Sequence, residues 1–500
     1  MNPGSVVDPG FILCDNRPYI TQGELFGGLD MQQDPVQEMR PGQIRRHVWG
    51  LAWPVVSRMF MQSIVGMVDI MMVGRLGPAS IAAVSVGNRL VFILIAALQA
   101  LAVGSSALVA QYTGAKRKEQ ADAVVWQALY GAFLLAAVLA TLGAIFAPQL
   151  IGLMLSLMET IDQQVLAEGT IYLRIILISM IFGLPQIVIN ALLQGTGDMK
   201  TPLVIMTISN VINVIGNYVL IFGVGPFPAM GVTGAAIATG GSRAIGAMIG
   251  VGFLLRGTPT IHLRVSKMTW RLRRDIVGRI MDIGIPASIE QLIRNSSMIL
   301  FSFLVAGLGT VSMAANEIAM NIQSLSMMPG FGFGLAATTL VGQQLGARQY
   351  QRAQDYGRET MNLAMALMIT LGLLMFTFPG VFVRLYTTDP AVIPEAIGVL
   401  RVLGLIQPFF AVYLVLSGAL RGAGDTRFVM IATAVGNWGV RVVLALLVAF
   451  YFDAGLVGFW LAIAVDLMVR AGLIFYRYQS GVWRKSLVEA PVTPKKRASA

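Results

Sequence analysis

The chain has one cysteine, Cys14, and two histidines, His47 and His262, among 500 residues. A single thiol excludes a disulfide framework and any cysteine-built metal or redox cluster. Both histidines lie in the charged flanks of apolar runs, which argues against histidine metal sites and histidine-driven nucleophilic catalysis inside those runs. Charge is scarce as well: Asp, Glu, Lys and Arg make up 12% of the residues, where soluble domains carry about a quarter. No G-x-x-x-x-G-K-[ST] phosphate loop occurs anywhere in the chain. The first forty or so residues show no basic start followed by an apolar core. They are therefore expected to be a soluble tail rather than a cleaved signal peptide.

What is abundant is apolar, at 56% of the chain. Crossing about 30 Å of hydrocarbon takes roughly 20 apolar residues. About twelve such runs occur, near 48–73, 81–107, 124–147, 171–193, 203–224, 232–256, 280–306, 312–339, 358–382, 396–420, 428–450 and 456–477. Runs of this length without alternation are helices, since only helices and closed barrels pair every backbone group in lipid.

Basic residues gather in alternate loops: Lys116, Arg117, Lys118 and Lys200, then Arg348, Arg352, Arg421 and Arg427, the segment from Arg256 to Arg279, and the tail from Arg484 to Arg497. The opposite loops hold little beyond Arg75 and Arg384. The positive-inside rule then puts both termini in the cytoplasm and accounts for the net charge of +11 without nucleic acid.

The two halves repeat. VGRLGPASIAAVSVGNRL (73–90) aligns with VAGLGTVSMAANEIAMNI (305–322) at an offset of 232, which also takes Pro54 to Pro286 and GAKRKEQA (114–121) to GARQYQRA (346–353). LLQGTGDMK (192–200) aligns with ALRGAGDTR (419–427), and Asn210 falls on Asn437. Six helices is an even number, so the halves share one orientation and form a parallel repeat. The fold class expected is an all-α polytopic membrane protein of about twelve transmembrane helices in two six-helix lobes. The expected organisation is a cytoplasmic tail at 1–47, lobes at 48–256 and 280–478, a basic linker at 257–279 and a basic tail at 479–500.

Four acids lie within the spans. Glu290 and Arg294 are four apart, as are Asp466 and Arg470, so each pair can bridge along one helix face. Glu317 has no base on its own helix and could answer Arg89 or another arginine across the bundle. Asp69, in GMVDIMMVG, has no basic residue three or four positions away. A lone acid in a low-dielectric site recruits a proton or a cation. Asn210, Asn213 and Asn217 form one stripe of the fifth span, suited either to interhelical hydrogen bonds or to tuning a nearby acid. GTGDMKT (195–201) reads as a turn whose glycines permit a tight bend. The many methionines suit an adaptable cavity or a lipid-facing surface.

Together these features resemble the multidrug and toxic compound extrusion (MATE) family: the paired VGRLG and VAGLG segments, VGQQLGAR (341–348) with its partner VAQYTGAK (109–116), and the twin L-x-G-x-G-D turns. The resemblance covers about 48 to 478. It implies export of bulky, often cationic drugs in exchange for H+ or Na+ through a central cavity that opens alternately to either side. It also implies a bacterial cytoplasmic (inner) membrane location. The family's first-lobe cation site falls on Asp69, on Asn213 and Asn217, and on Thr239. Members with a second carboxylate at the later fifth-helix position differ from this chain, which has Asn217. Glu290 and Glu317 are candidates for a second-lobe coupling or substrate site.

The expected partners are small-molecule drugs, organic cations and membrane lipids, with no nucleic acid, no cofactor beyond the coupling ion, and a monomeric protein. The alternative reading is a flippase for lipid-linked sugars, which would line the cavity with cations; Arg58, Arg89, Arg243, Arg294 and Arg441 are its candidates. An intramembrane enzyme would need a Ser–His, paired-Asp or metal-ligand set inside the spans, and no enzymatic role is expected.

Overall fold

The computed structural model describes residues 41–156, 162–257, 273–451 and 454–484. Most of the expected N-terminal tail, linker and C-terminal tail lies outside them, as do Cys14 and His262. The chain folds into α1 (Pro41–Gly74), α2 (Pro78–Gly114), α3 (Lys118–Ser156), α4 (Gln163–Gly195), α5 (Lys200–Phe222) and α6 (Gly231–Arg256). The second half gives α7 (Arg274–Ala306), α8 (Thr310–Gly346), α9 (Tyr350–Thr377), α10 (Pro379–Arg384), α11 (Val392–Ala423), α12 (Thr426–Ala434), α13 (Val443–Tyr451) and α14 (Gly455–Gln479). Among the described residues, ten helices are long and apolar enough to span a membrane, with Thr426–Ala449 counted as one. α2 and α7, 37 and 33 residues long, complete the twelve.

The helices overrun the apolar runs at their basic ends. α1 begins at Pro41 rather than near 48, and α7 begins at Arg274, inside the expected linker. The run at 358–382 is divided, because Pro379 cannot continue α9 and instead opens the short α10. The run at 428–450 carries a π-helical segment, Val435–Val442, between α12 and α13.

The repeat is visible in the backbone. Lys116 and Arg348 both adopt left-handed conformations, with φ 57° and 60°, and they are aligned residues of the two halves. The first lobe packs α4 against α2, α3 and α6; the second packs α11 against α8, α9 and α14. The lobes meet where α2 lies along α7 and α8.

At the basic end of that seam the contact is reciprocal. Gln111 Nε2 donates to the Gly422 carbonyl at 2.9 Å, and its repeat partner Gln343 donates to the Gly195 carbonyl at 3.2 Å. Thr339 Oγ1 adds a bond to the Gln194 carbonyl at 2.9 Å. The backbones approach this closely because Gly114 and Gly346 lack side chains. A Cβ on Gly114 would lie 1.8 Å from the Gln343 oxygen, and one on Gly346 1.9 Å from the Gln111 oxygen.

Candidate coupling site and central cavity

Asp69 sits near the end of α1 opposite its N-terminus, and it is partly buried. Asn217 Nδ2, from α5, donates to Asp69 Oδ1 at 2.6 Å. One turn away, Asn213 Oδ1 receives a longer bond from Asn217 Nδ2 at 3.4 Å, and Asn213 Nδ2 reaches Thr239 Oγ1 on α6 at 3.3 Å. The four residues expected from the resemblance therefore meet in one cluster, because the four-residue spacing on α5 turns both carboxamides towards α1 and α6. Asn217 is 1% exposed and its Oδ1 has no hydrogen-bond partner. Asp69 makes no ion pair among the described residues.

Sequence reasoning missed two neighbours here. Arg243 is four residues beyond Thr239 on α6, and its charge acts on both Asp69 and Tyr172. Its Nη1 is buried without a partner. Tyr172 donates to Asn88 Oδ1 at 3.0 Å. The i, i+4 relation of Arg243 to Thr239 was available in the sequence, but nothing there tied either residue to Asp69. Asn210, the third member of the stripe, does not join the cluster through its Nδ2, which has no partner.

The second-lobe acids behave differently. Glu290 is 1% exposed and saturated: Arg421 Nη2 donates to its two oxygens at 2.7 and 2.9 Å, and Tyr413 Oη donates at 3.3 Å. Its helix neighbour Arg294 stands off at 3.8 Å. The expected i, i+4 bridge is thus secondary to one from α11. Asp466 does bridge Arg470, at 2.7 Å, and Arg441 of the π-helical segment joins it at 2.7 Å. Glu317 is exposed and, among the described residues, pairs with neither Arg89 nor any other base. It joins neither the Asp69 cluster nor Glu290.

Between the lobes lies a cavity of about 300 Å³, walled by α1, α2, α4, α7, α8 and α11. Arg58, Glu290, Arg294, Arg421 and Tyr413 reach it, along with apolar groups such as Met59 and Phe331. Of the five interior arginines raised by the flippase reading, Arg58 and Arg294 line this cavity. Arg89 is exposed, Arg243 lies near Asp69, and Arg441 is held by Asp466.

The GTGD and GAGD segments form turns. Gly197 and Gly424 have φ of 92° and 85°, and Asp198 Oδ1 accepts from the Lys200 and Thr201 amides at 3.1 and 2.9 Å. These bonds tie the first turn of α5, which is the structural role the sequence implied.

Known proteins place this arrangement. A probable multidrug resistance protein NorM from Thermotoga maritima is 29% identical over 449 residues, covering 89% of this chain and 94% of its own. Multidrug resistance protein NorM from Burkholderia vietnamiensis is 28% identical, covering 90% and 97%. Among solved structures, a MOP superfamily transporter from Pyrococcus furiosus superposes with a TM-score of 0.80 at 22% identity over 90% of this chain and 100% of its own. A MATE structure in the bent conformation also gives 0.80, at 24% identity over 89% and 98%. The MatE family model matches residues 54–219 and 286–447, the two repeats in turn. The chain belongs to the MatE family of membrane transporters.

Proposed function

We propose that this protein is a secondary active efflux transporter that exports bulky organic compounds in exchange for an inward flow of cations, with Asp69 as the coupling carboxylate. The carrying observation is the state of that acid. Among the described residues it is the one intramembrane carboxylate held by a carboxamide in a polar cluster; Glu290 and Asp466 are saturated by guanidinium groups, and Glu317 stands exposed. An acid left free of salt bridges can gain and lose a cation, and the energy of that exchange can bias two arrangements of the lobes. The names of the NorM relatives, multidrug resistance proteins, support export of several compounds. Basic loops at the end carrying both termini support a cytoplasmic placement of that end in a bacterial inner membrane.

The proton is the ion this geometry favours. A sodium ion would have to be held by one carboxylate and by neutral carboxamide and hydroxyl oxygens under the influence of Arg243. A proton needs no ligand shell. Protonation would weaken the bond from Asn217 to Asp69, from charge-assisted to neutral, and allow α1, which contains Pro54, to repack.

The test uses purified protein in liposomes, with a proton gradient and a sodium gradient imposed separately. Efflux of an anionic and a cationic dye is followed for wild type and Asp69→Asn. Proton-driven efflux of either dye, lost in the variant, is the expected result. Undiminished efflux by Asp69→Asn would remove the carboxylate from the mechanism, and sodium-driven efflux would overturn the choice of ion. The flippase reading stays second, supported by Arg58 and Arg294 in the cavity wall.

A further inference from the structure

The central cavity has a polarity that the coupling cluster does not explain. Its wall carries three arginines, Arg58, Arg294 and Arg421, against one carboxylate, Glu290. That carboxylate is already engaged by Arg421 and Tyr413 and is almost wholly buried. The repeat shows where the imbalance arises. In the aligned halves Arg58 occupies the position of Glu290, and Gln194 occupies the position of Arg421. The second lobe therefore has an acid–arginine pair, and the first lobe has an arginine facing a neutral carboxamide. In the orientation that satisfies both groups, the Gln194 side-chain oxygen accepts from Arg58 Nη1 at 2.7 Å and Nη2 at 3.2 Å.

Arg294 is in a comparable position. Its Nη2 donates to the Gln291 side-chain oxygen, and Glu290 is 3.8 Å away and committed elsewhere. A guanidinium carries five N–H donors and no acceptor, so one carboxamide oxygen leaves each of these two arginines with donors to spare. Ser106 and Ser417 also line the cavity, one from each lobe, and each hydroxyl is buried without a partner. Among the described residues Arg58 has no carboxylate partner, and Arg294 has only the distant, already engaged Glu290 at 3.8 Å; intramembrane arginines so weakly countered are unfavourable unless a ligand supplies the missing charge.

We infer that this cavity is an anion site: it takes an organic anion whose carboxylate, sulfonate or phosphate group sits between Arg58 and Arg294, with an apolar body against Met59 and Phe331. The inference rests on the efflux reading above and specifies its substrate class. A cationic drug would face a wall with two more positive than negative charges and find no carboxylate there that is not already engaged. Two sources share the chemistry, a soluble amphiphilic anion and a lipid-linked phosphate headgroup.

The experiment compares probes that differ only in charge. Pyrenebutyrate and a pyrenebutyl trimethylammonium salt are titrated into purified wild-type protein, Arg58→Gln, Arg294→Gln and Arg58→Lys, with binding read by fluorescence anisotropy in the absence of any gradient. A lipid-linked sugar pyrophosphate serves as competitor in a third arm. The anionic probe is expected to bind at least tenfold more tightly than the cationic one. Each Arg→Gln change should weaken anion binding about tenfold, the scale of one charge-assisted hydrogen bond, and Arg58→Lys should retain most of it.

Displacement by the pyrophosphate lipid at lower concentration than by free pyrenebutyrate would assign the anion to a headgroup, and the reverse order would assign it to soluble compounds; both keep the site. Equal or tighter binding of the cation to wild type would overturn the inference, even if a variant failed to fold. So would folded Arg58→Gln and Arg294→Gln proteins with unchanged anion affinity. Because binding is read at equilibrium, a retained anion preference without gradient-driven efflux would sink the coupling reading and leave the site standing.

Discussion

Replacing Gly114 by alanine should open the basic end of the seam between the lobes. The new Cβ would lie 1.8 Å from the Gln343 carbonyl oxygen and 2.5 Å from its carbon, both backbone atoms. Ordinary contact needs about 3.5 Å, so α2 and α8 must separate by more than an ångström at this point. Overpacking of this kind costs about 1–3 kcal/mol. The separation also strains the bonds Gln111 makes to Gly422 and Gln343 to Gly195, each worth about 1 kcal/mol. Together these favour an opened arrangement by a factor on the order of a hundred or more. Thr339 reports the change, since it is fully buried beneath the seam and bonded to the Gln194 carbonyl. In a Cys14→Ser background, Thr339→Cys should resist a membrane-impermeant thiol reagent, and adding Gly114→Ala should make it react. Gly346→Ala should do the same through Gln111, whereas Gly152→Ala, with nothing within 4 Å, should not. Equal protection of the introduced thiol in all of these proteins, with transport intact, would refute the idea that the glycine contacts hold the seam closed.

Asn217→Ala removes the 2.6 Å donor to Asp69 and should reduce gradient-driven efflux about tenfold, the scale of a charge-assisted bond, while leaving equilibrium substrate binding intact; a loss of binding alone would contradict its place in coupling. Asp466→Asn leaves Arg441 and Arg470 buried without their counter-charge, and a broken buried pair costs about 3–5 kcal/mol, so a large fall in melting temperature in detergent is expected and an unchanged one would count against the triad. Arg45→Ala removes an ion pair to Glu359 at 3.0 Å with the arginine 57% exposed; the effect should stay within about 1 kcal/mol, and a larger destabilisation would show that the pair is not behaving as a surface contact.

Spacing made the helices, the repeat and the turns legible, because each is written in local sequence. The offset of 232 shared by the early segments of the two halves foresaw matched loops, and Lys116 and Arg348 share the same left-handed backbone. Partners on other helices were not legible. Glu290 reads as the i, i+4 neighbour of Arg294, yet Arg421 is the closer cation at 2.7 Å against 3.8 Å, and only packing brings α11 beside α7. The π-helical segment was also hidden. Its cause lies on another helix: a Cβ at Gly436 would fall 2.3 Å from Arg470 Cγ and 2.4 Å from Asp466 Oδ1, so the glycine lets α14 press against the widened turn while Arg441 swings onto Asp466. The Asp69 cluster became visible through resemblance to a family, since isolated spacing gave the asparagine stripe no destination.

The two lobes have diverged into different electrostatic roles. The residue aligned with Asp69 in the second half is Phe301, buried and packed edge-on against Phe459 at 5.9 Å between ring centroids. No second exchangeable acid exists at that place, and the second lobe's buried acids are each fastened by arginines. A lobe fastened in this way resists repacking, because parting a buried ion pair leaves both charges unsatisfied. A lobe whose only intramembrane acid is held by a carboxamide can change at the cost of one hydrogen bond. On the proposed mechanism the first lobe would be the one to rearrange, and Arg58, on the same helix as Asp69, would carry that change into the cavity wall. In the proposed mechanism, a proton arriving at Asp69 and an anion leaving Arg58 would be joined through α1, which carries both residues.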